Sequence, residues 1–110
     1  MGSIKADELL SNMLQAAQKS LSAKWPQVRD LAAAEFGKYA HNLEAIRKMK
    51  RKGTISREQA RLQLDIQRNS IKTVLLTEKG LGLLAVEAAI NAAMDAVRET
   101  VNKAIGRGLL

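Results

Sequence analysis

The stretch Lys52-Gly53-Thr54-Ile55-Ser56-Arg57-Glu58-Gln59-Ala60 holds a helix stop and a helix start side by side. Gly53 follows a basic run that complements the negative end of a helix, and glycine most easily takes the left-handed backbone found just past such an end. Ser56 and Gln59 have the spacing of a capping box, in which each side chain satisfies the other residue's free amide. Ile55 before the cap and Ala60 after it are placed for a small hydrophobic staple. The stretch therefore predicts one helix ending at Gly53, a short turn, and another helix beginning at Ser56.

Backwards from Gly53, Val28, Ala32, Phe36, Tyr39, Leu43 and Ile46 recur at threes and fours, which places them on one stripe of a long second helix. Asp30, His41, Glu44 and Lys48 fall opposite. That helix starts near Pro26, because proline disfavours helical backbone at Trp25 and suits the first helical position. Before it, a first helix is predicted from about Ala6 to Ala23, with Leu10, Met13, Leu14, Ala17 and Leu21 on one face and Asp7 and Glu8 in the first turn.

Forwards from Ser56, Ala60, Leu64, Ile71, Val74 and Leu75 form the main stripe of a third helix, while Leu62, Ile66 and Leu76 lie on its far side. A helix apolar on two sides touches neighbours on two sides. After Gly80 and Gly82 a fourth helix is predicted to about Ile105, with Leu83, Val86, Ile90, Met94, Val97, Val101 and Ile105 as its main face. Ala85, Ala89, Ala92 and Ala96 make a second face, whose small residues suit either a tight helix pair with another copy or narrow space inside a single bundle. Glu78 to Gly82 offers a glycine stop but no Ser, Thr or Asp to start the next helix. One continuous helix from Ser56 onward, about 50 residues and roughly 75 Å long, is the alternative.

These elements make an all-α, antiparallel bundle of about four helices, and 110 residues are enough for one domain with a core. The second helix alone would be about 40 Å long, against a radius of gyration of about 13 Å for a compact chain of this size. That length, with the far side of the third helix and the alanine face of the fourth, points to an elongated bundle completed by a second copy. The residues assigned to that interface are Leu62, Ile66, Leu76, Ala85, Ala89, Ala92 and Ala96.

With no cysteine, the sequence has no disulfide framework, thiolate metal site or cysteine nucleophile. The amino terminus, Met1 to Asp7, lacks the apolar segment and cleavage site of a secretory signal. The longest apolar run, Leu81 to Val97, is broken by Glu87, Asn91 and Asp95, which are costly in hydrocarbon. Together these indicate a cytoplasmic protein that is not integral to a membrane.

Charge is concentrated at the turn. Arg47, Lys48, Lys50, Arg51, Lys52, Arg57 and Arg61 face a single acid, Glu58, so this segment carries +6 of the chain's +7. The cluster reads in two ways: cations that complement the end of the second helix, or an anion-binding tip able to neutralise phosphates. No aromatic lies within it to stack on unpaired bases. A helix-turn-helix reader of DNA fits poorly, since Leu62 and Ile66 occupy the side a recognition helix would expose. A membrane-lying hairpin is opposed by Glu87, Asp95 and Glu99.

Two polar residues sit at apolar stripes, Glu35 beside Tyr39 and Gln67 on the third helix, and are expected as a buried polar contact, Glu35 pairing with Tyr39 or Gln67. His41 and Glu44 share one side of the second helix, but a single histidine falls short of the ligand sets of helical di-metal bundles. His41 is expected at the surface, with no metal and no cofactor. The lone histidine, the missing cysteines and the absence of a glycine-rich phosphate loop or Gly-x-Ser-x-Gly argue against an enzyme. The sequence thus reads as a self-associating helical interaction module, with nonspecific polyanion or nucleic-acid binding through residues 47–61 as the alternative.

Overall fold

The computed structural model describes residues 5–106 and 109–110, and four α-helices follow one another in it: α1 (Ala6–Leu21), α2 (Trp25–Lys52), α3 (Arg57–Leu75) and α4 (Leu83–Ala104). Residues 1–4, the start of the amino terminus read above, lie outside the described residues.

Both signals around residue 53 act as their chemistry requires. Gly53 closes α2 with φ 71°, and the amides of Gly53 and Thr54 donate to the carbonyls of Lys50 and Met49 at 3.1 and 2.9 Å. Ser56 caps α3 through a full capping box, and Ile55 and Ala60 are both buried. At the other end of α2, a single 3-10 turn, Ser22–Lys24, joins α1 directly to Trp25 and Pro26.

Helices α3 and α4 are separate. Beyond Leu75, the amides of Thr77 and Glu78 bond back to Val74 and Leu75, and Thr77 Oγ1 donates to the Val74 carbonyl. Gly80 then takes φ 87°, a conformation that ends helical propagation, and Lys24 Nζ lies 2.9 Å from where a Cβ would stand. α4 starts at extended Gly82 with no side-chain cap.

Residues that meet across neighbouring helices fix the antiparallel directions. Ala6 lies by Glu44 and Leu10 by Gly37 between α1 and α2; Arg68 meets Asn91 and Lys72 meets Glu87 between α3 and α4. α1 packs most extensively on α4, then on α2; α2 packs on α3, and α3 packs only lightly on α4. The result is an up-down-up-down bundle with extents of 43 × 23 × 20 Å, its long axis set by the 28 residues of α2.

One apolar cluster runs through all four helices, with Phe36, Tyr39, Leu43, Leu64, Ile71, Val86, Ile90 and Met94 among its fully enclosed members. Three expectations need correction. In α1 the enclosed stripe is Ala6, Leu9, Met13, Ala17 and Leu21, while Leu10 and Leu14 sit at its edge, because α1 is wedged between α2 and α4 and presents the face centred on Met13. Leu83, expected in the core, overhangs at the first residue of α4 and is 50% exposed. The alanine face is not a continuous outer surface: Ala89 is inside the core with Ala93, Ala92 is half-buried, and only Ala85 and Ala96 are exposed. Small residues in α4 therefore serve, in part, close packing within the chain.

Among the described residues no helix is long and apolar enough to cross a membrane.

Candidate functional site

Among the described residues, the side of α3 opposite the core is an apolar face left open. Leu62 and Ile66 are 60% and 59% exposed, one turn apart, and Leu76 is 38% exposed where the helix ends. Their helix is held firmly behind them by Ala60, Leu64, Ile71 and Leu75, all buried. At the start of α4, Leu83 and Leu84 are also exposed, the latter at 83%. Of the residues assigned to an interface from sequence, Leu62, Ile66 and Leu76 thus share one exposed helix face. Ala85 and Ala96 lie open on another helix, and Ala89 is withdrawn. Leu84 falls on neither the main face nor the alanine face that helical spacing gives the fourth helix, so that spacing does not mark it.

The seven basic residues cluster where α2 ends and α3 begins. Lys48, Arg51, Lys52, Arg57 and Arg61 are exposed, whereas Arg47 and Lys50 are half-buried. Ion pairs among the described residues join Arg29 to Asp30, Lys38 to Glu35, Lys72 to Glu87, Arg98 to Asp95 and Lys103 to Glu99, and none involves the seven. Lys48, Arg51 and Lys52 border a shallow hollow of about 280 Å³. Arg47 faces inward enough that its Nε is buried without a hydrogen-bond partner. Five exposed cations, rather than seven, make up the accessible tip.

Glu35 is buried at 7% exposure, as its position on the stripe requires, but its partner is neither Tyr39 nor Gln67. Lys38, one turn along α2, donates to Glu35 Oε2 at 3.0 Å from a largely exposed position. Gln67 is half-buried and shares with Glu35, Lys38, Ser70 and Ile71 a small cavity of about 40 Å³ between α2 and α3. Its Oε1 is buried with no partner. The cavity has room for little more than a water molecule. Nearby, burial pushes the Tyr39 hydroxyl well above its ordinary pKa, partly offset by the Arg68 charge.

His41 is exposed and its Nδ1–H donates to the Gly37 carbonyl at 2.8 Å. Glu44, one turn on, accepts the amide of Ala6 at 3.4 Å and so supplies α1 with the acceptor that Lys5, at the capping position, does not. This contact spans two helices, and helical spacing alone gave no sign of it. Lys5, Asp7, Glu8, His41 and Glu44 border an open hollow, but among the described residues no three His, Asp or Glu side chains stand together in a way that could hold a metal ion.

The chain matches no protein-family model, no curated protein and no solved structure.

Proposed function

We propose that the protein is a non-enzymatic helical module that associates with itself through the outer face of α3. The observation that carries this reading is the exposure of Leu62 and Ile66 on a helix whose other side is already anchored in the core. Fully burying a leucine or isoleucine contributes about 1.5–3 kcal/mol, so two copies of this face supply a substantial part of an association energy. Each helix already buries its main stripe inside the chain, which leaves this face free for a partner. Replacing both Leu62 and Ile66 by glutamate tests the reading. The double variant keeps its helical circular dichroism and loses concentration-dependent association; association that persists unchanged would refute the role of this face.

A second reading, polyanion binding at the α2–α3 turn, is favoured by the five exposed cations with no ion-pair partner. The amides that begin α3 add a modest positive field there. Such contacts are to phosphate and carry no sequence preference. Titration with two unrelated duplexes checks this: equal affinities support the reading, and no retention at low salt refutes it.

A further inference from the structure

Among the described residues, α4 sits firmly on α1 but only lightly on α3, to which it is tied by Arg68 with Asn91 and by Lys72 with Glu87. Both pairs are centred on the same point of the chain, between Lys79 and Gly80. The linker between the two helices departs little from helix. Leu76 keeps helical backbone at φ −69° and ψ −13°, and the Thr77 and Glu78 amides still bond three residues back. The chain is reversed by Gly80, at φ 87°, and by extended Gly82. Since α4 has no side-chain cap, the amides of Leu83, Leu84 and Ala85 lack helical partners, which the carbonyls of Lys79, Gly80 and Leu81 would supply in an unbroken helix.

We infer that two copies of the chain can exchange α4. The linker winds into helix, α3 and α4 of each chain join into one helix of about 48 residues, and each α4 takes its place on α1 of the other copy. The contacts of α4 with α1 and α3 are kept, now between copies, so direction and register are inherited from pairs already in the bundle. New contact arises only where the two joined helices pass each other at the linker. Leu76 lies one turn beyond Lys72 and Leu83 one turn before Glu87, so the edges that carry the ion pair carry these leucines at the crossing. The same register sets Leu76 of one copy level with Leu83 of the other. They are 38% and 50% exposed in the closed chain, and twofold symmetry makes their contact twice.

Three residues hold the chain closed. Leu81, buried beneath the turn at 8% exposure, is withdrawn from the core by exchange. The two Lys79 side chains come to nearly the same level beside the twofold axis, where their charges repel. Gly80 takes its left-handed backbone without strain, which alanine would not. Exchange is therefore a slow second state, since α4 must first leave α1, and it needs neither Leu62 nor Ile66. Alanine at position 80 strains the closed turn by about tenfold and favours the joined helix over glycine by about fivefold. Counted in both copies, Gly80→Ala lowers the Kd of the exchanged dimer on the order of 10³-fold.

The full chain tests this when it is refolded from urea across a concentration series, so that α4 is free to exchange. Because the sequence has no cysteine, Lys72→Cys and Glu87→Cys can be bridged by a short bis-maleimide and the product read after denaturation. A closed chain is bridged to itself, whereas an exchanged dimer becomes two covalently joined chains. With Gly80→Ala the two-chain product should appear at concentrations on the order of 10³-fold lower than with glycine, and it should persist when Leu62→Glu and Ile66→Glu are added. Gly82→Pro fits the closed φ of −88° but interrupts a continuous helix, so adding it to Gly80→Ala should return the product to single chains. Single-chain product throughout in Gly80→Ala, or two-chain product that survives Gly82→Pro, overturns exchange and leaves pairing through the α3 face standing. Two-chain product that vanishes with Leu62→Glu and Ile66→Glu also overturns exchange, in favour of that pairing.

Discussion

Ser56 and Gln59 cap each other: the Ser56 amide donates to Gln59 Oε1 at 2.8 Å, and the Gln59 amide donates to Ser56 Oγ at 3.1 Å. This reciprocal pair fixes where α3 begins. Together with Gly53 it sets the direction in which α3 returns along α2 and presents Leu62 and Ile66 outward.

Ser56→Ala removes one half of that pair and should destabilise the chain by about 1 kcal/mol. Gly53→Val has open space for its side chain, with nothing within 4 Å of the Cβ, so its cost is that of a left-handed backbone alone, about 1–2 kcal/mol. Urea unfolding of both variants checks these values. Equal stability in Gly53→Val would mean that the left-handed conformation is not needed to end α2.

How much of this was legible in the sequence depended on the range of the interaction. The 53–60 turn was fully legible because its signals are local: a glycine, a serine and a glutamine that bond within a few residues of themselves. The break between α3 and α4 was only half legible, since it relies on Gly80 and Gly82 backbone conformations and has no side-chain cap to announce it. Leu9 replaces Leu10 in the core because α1 answers to two neighbours, and helical spacing cannot say where those neighbours sit. The Glu44–Ala6 contact is invisible for the same reason. Glu35 was legible as a buried carboxylate, but Lys38 was overlooked as its partner although it lies one turn away.

Gln67→Leu is expected to stabilise the protein. The buried Oε1 has no hydrogen-bond partner, and replacing an unsatisfied polar atom by an apolar group of similar size recovers up to about 1 kcal/mol. Thermal melting should rise by roughly 4–8 °C if the full amount is recovered. A lower melting temperature would contradict the expectation that this side chain costs stability.

Tyr39 predicts a specific alkaline sensitivity. Its hydroxyl titrates higher in the folded chain than at its ordinary value of 10.0, chiefly because burial disfavours the phenolate. The stabilising contribution is complete below pH 10 and is lost above it, where the unfolded state releases the proton and the folded state retains it. The slope is about −1.4 kcal/mol per pH unit in that range. Stability curves for the wild type and Tyr39→Phe should run parallel below pH 9 and converge or cross above pH 10. Parallel curves throughout would contradict the burial of this hydroxyl.

At the basic turn, engagement of the five exposed cations gives a log–log salt slope of about −4.5 for duplex DNA, from about 0.9 per neutralised phosphate. Replacing Lys48, Lys50 and Lys52 together by glutamate should abolish retention without unfolding the bundle, since none of the three is in the core cluster. A slope near zero, or binding that survives the triple reversal, would remove phosphate neutralisation at this turn from the account.

The mass of the protein in solution tests the central claim most directly. Sedimentation equilibrium across a micromolar concentration series should report a species of twice the 12.0 kDa chain mass, giving way to monomer on dilution. A constant 12.0 kDa over the whole series would contradict self-association through α3.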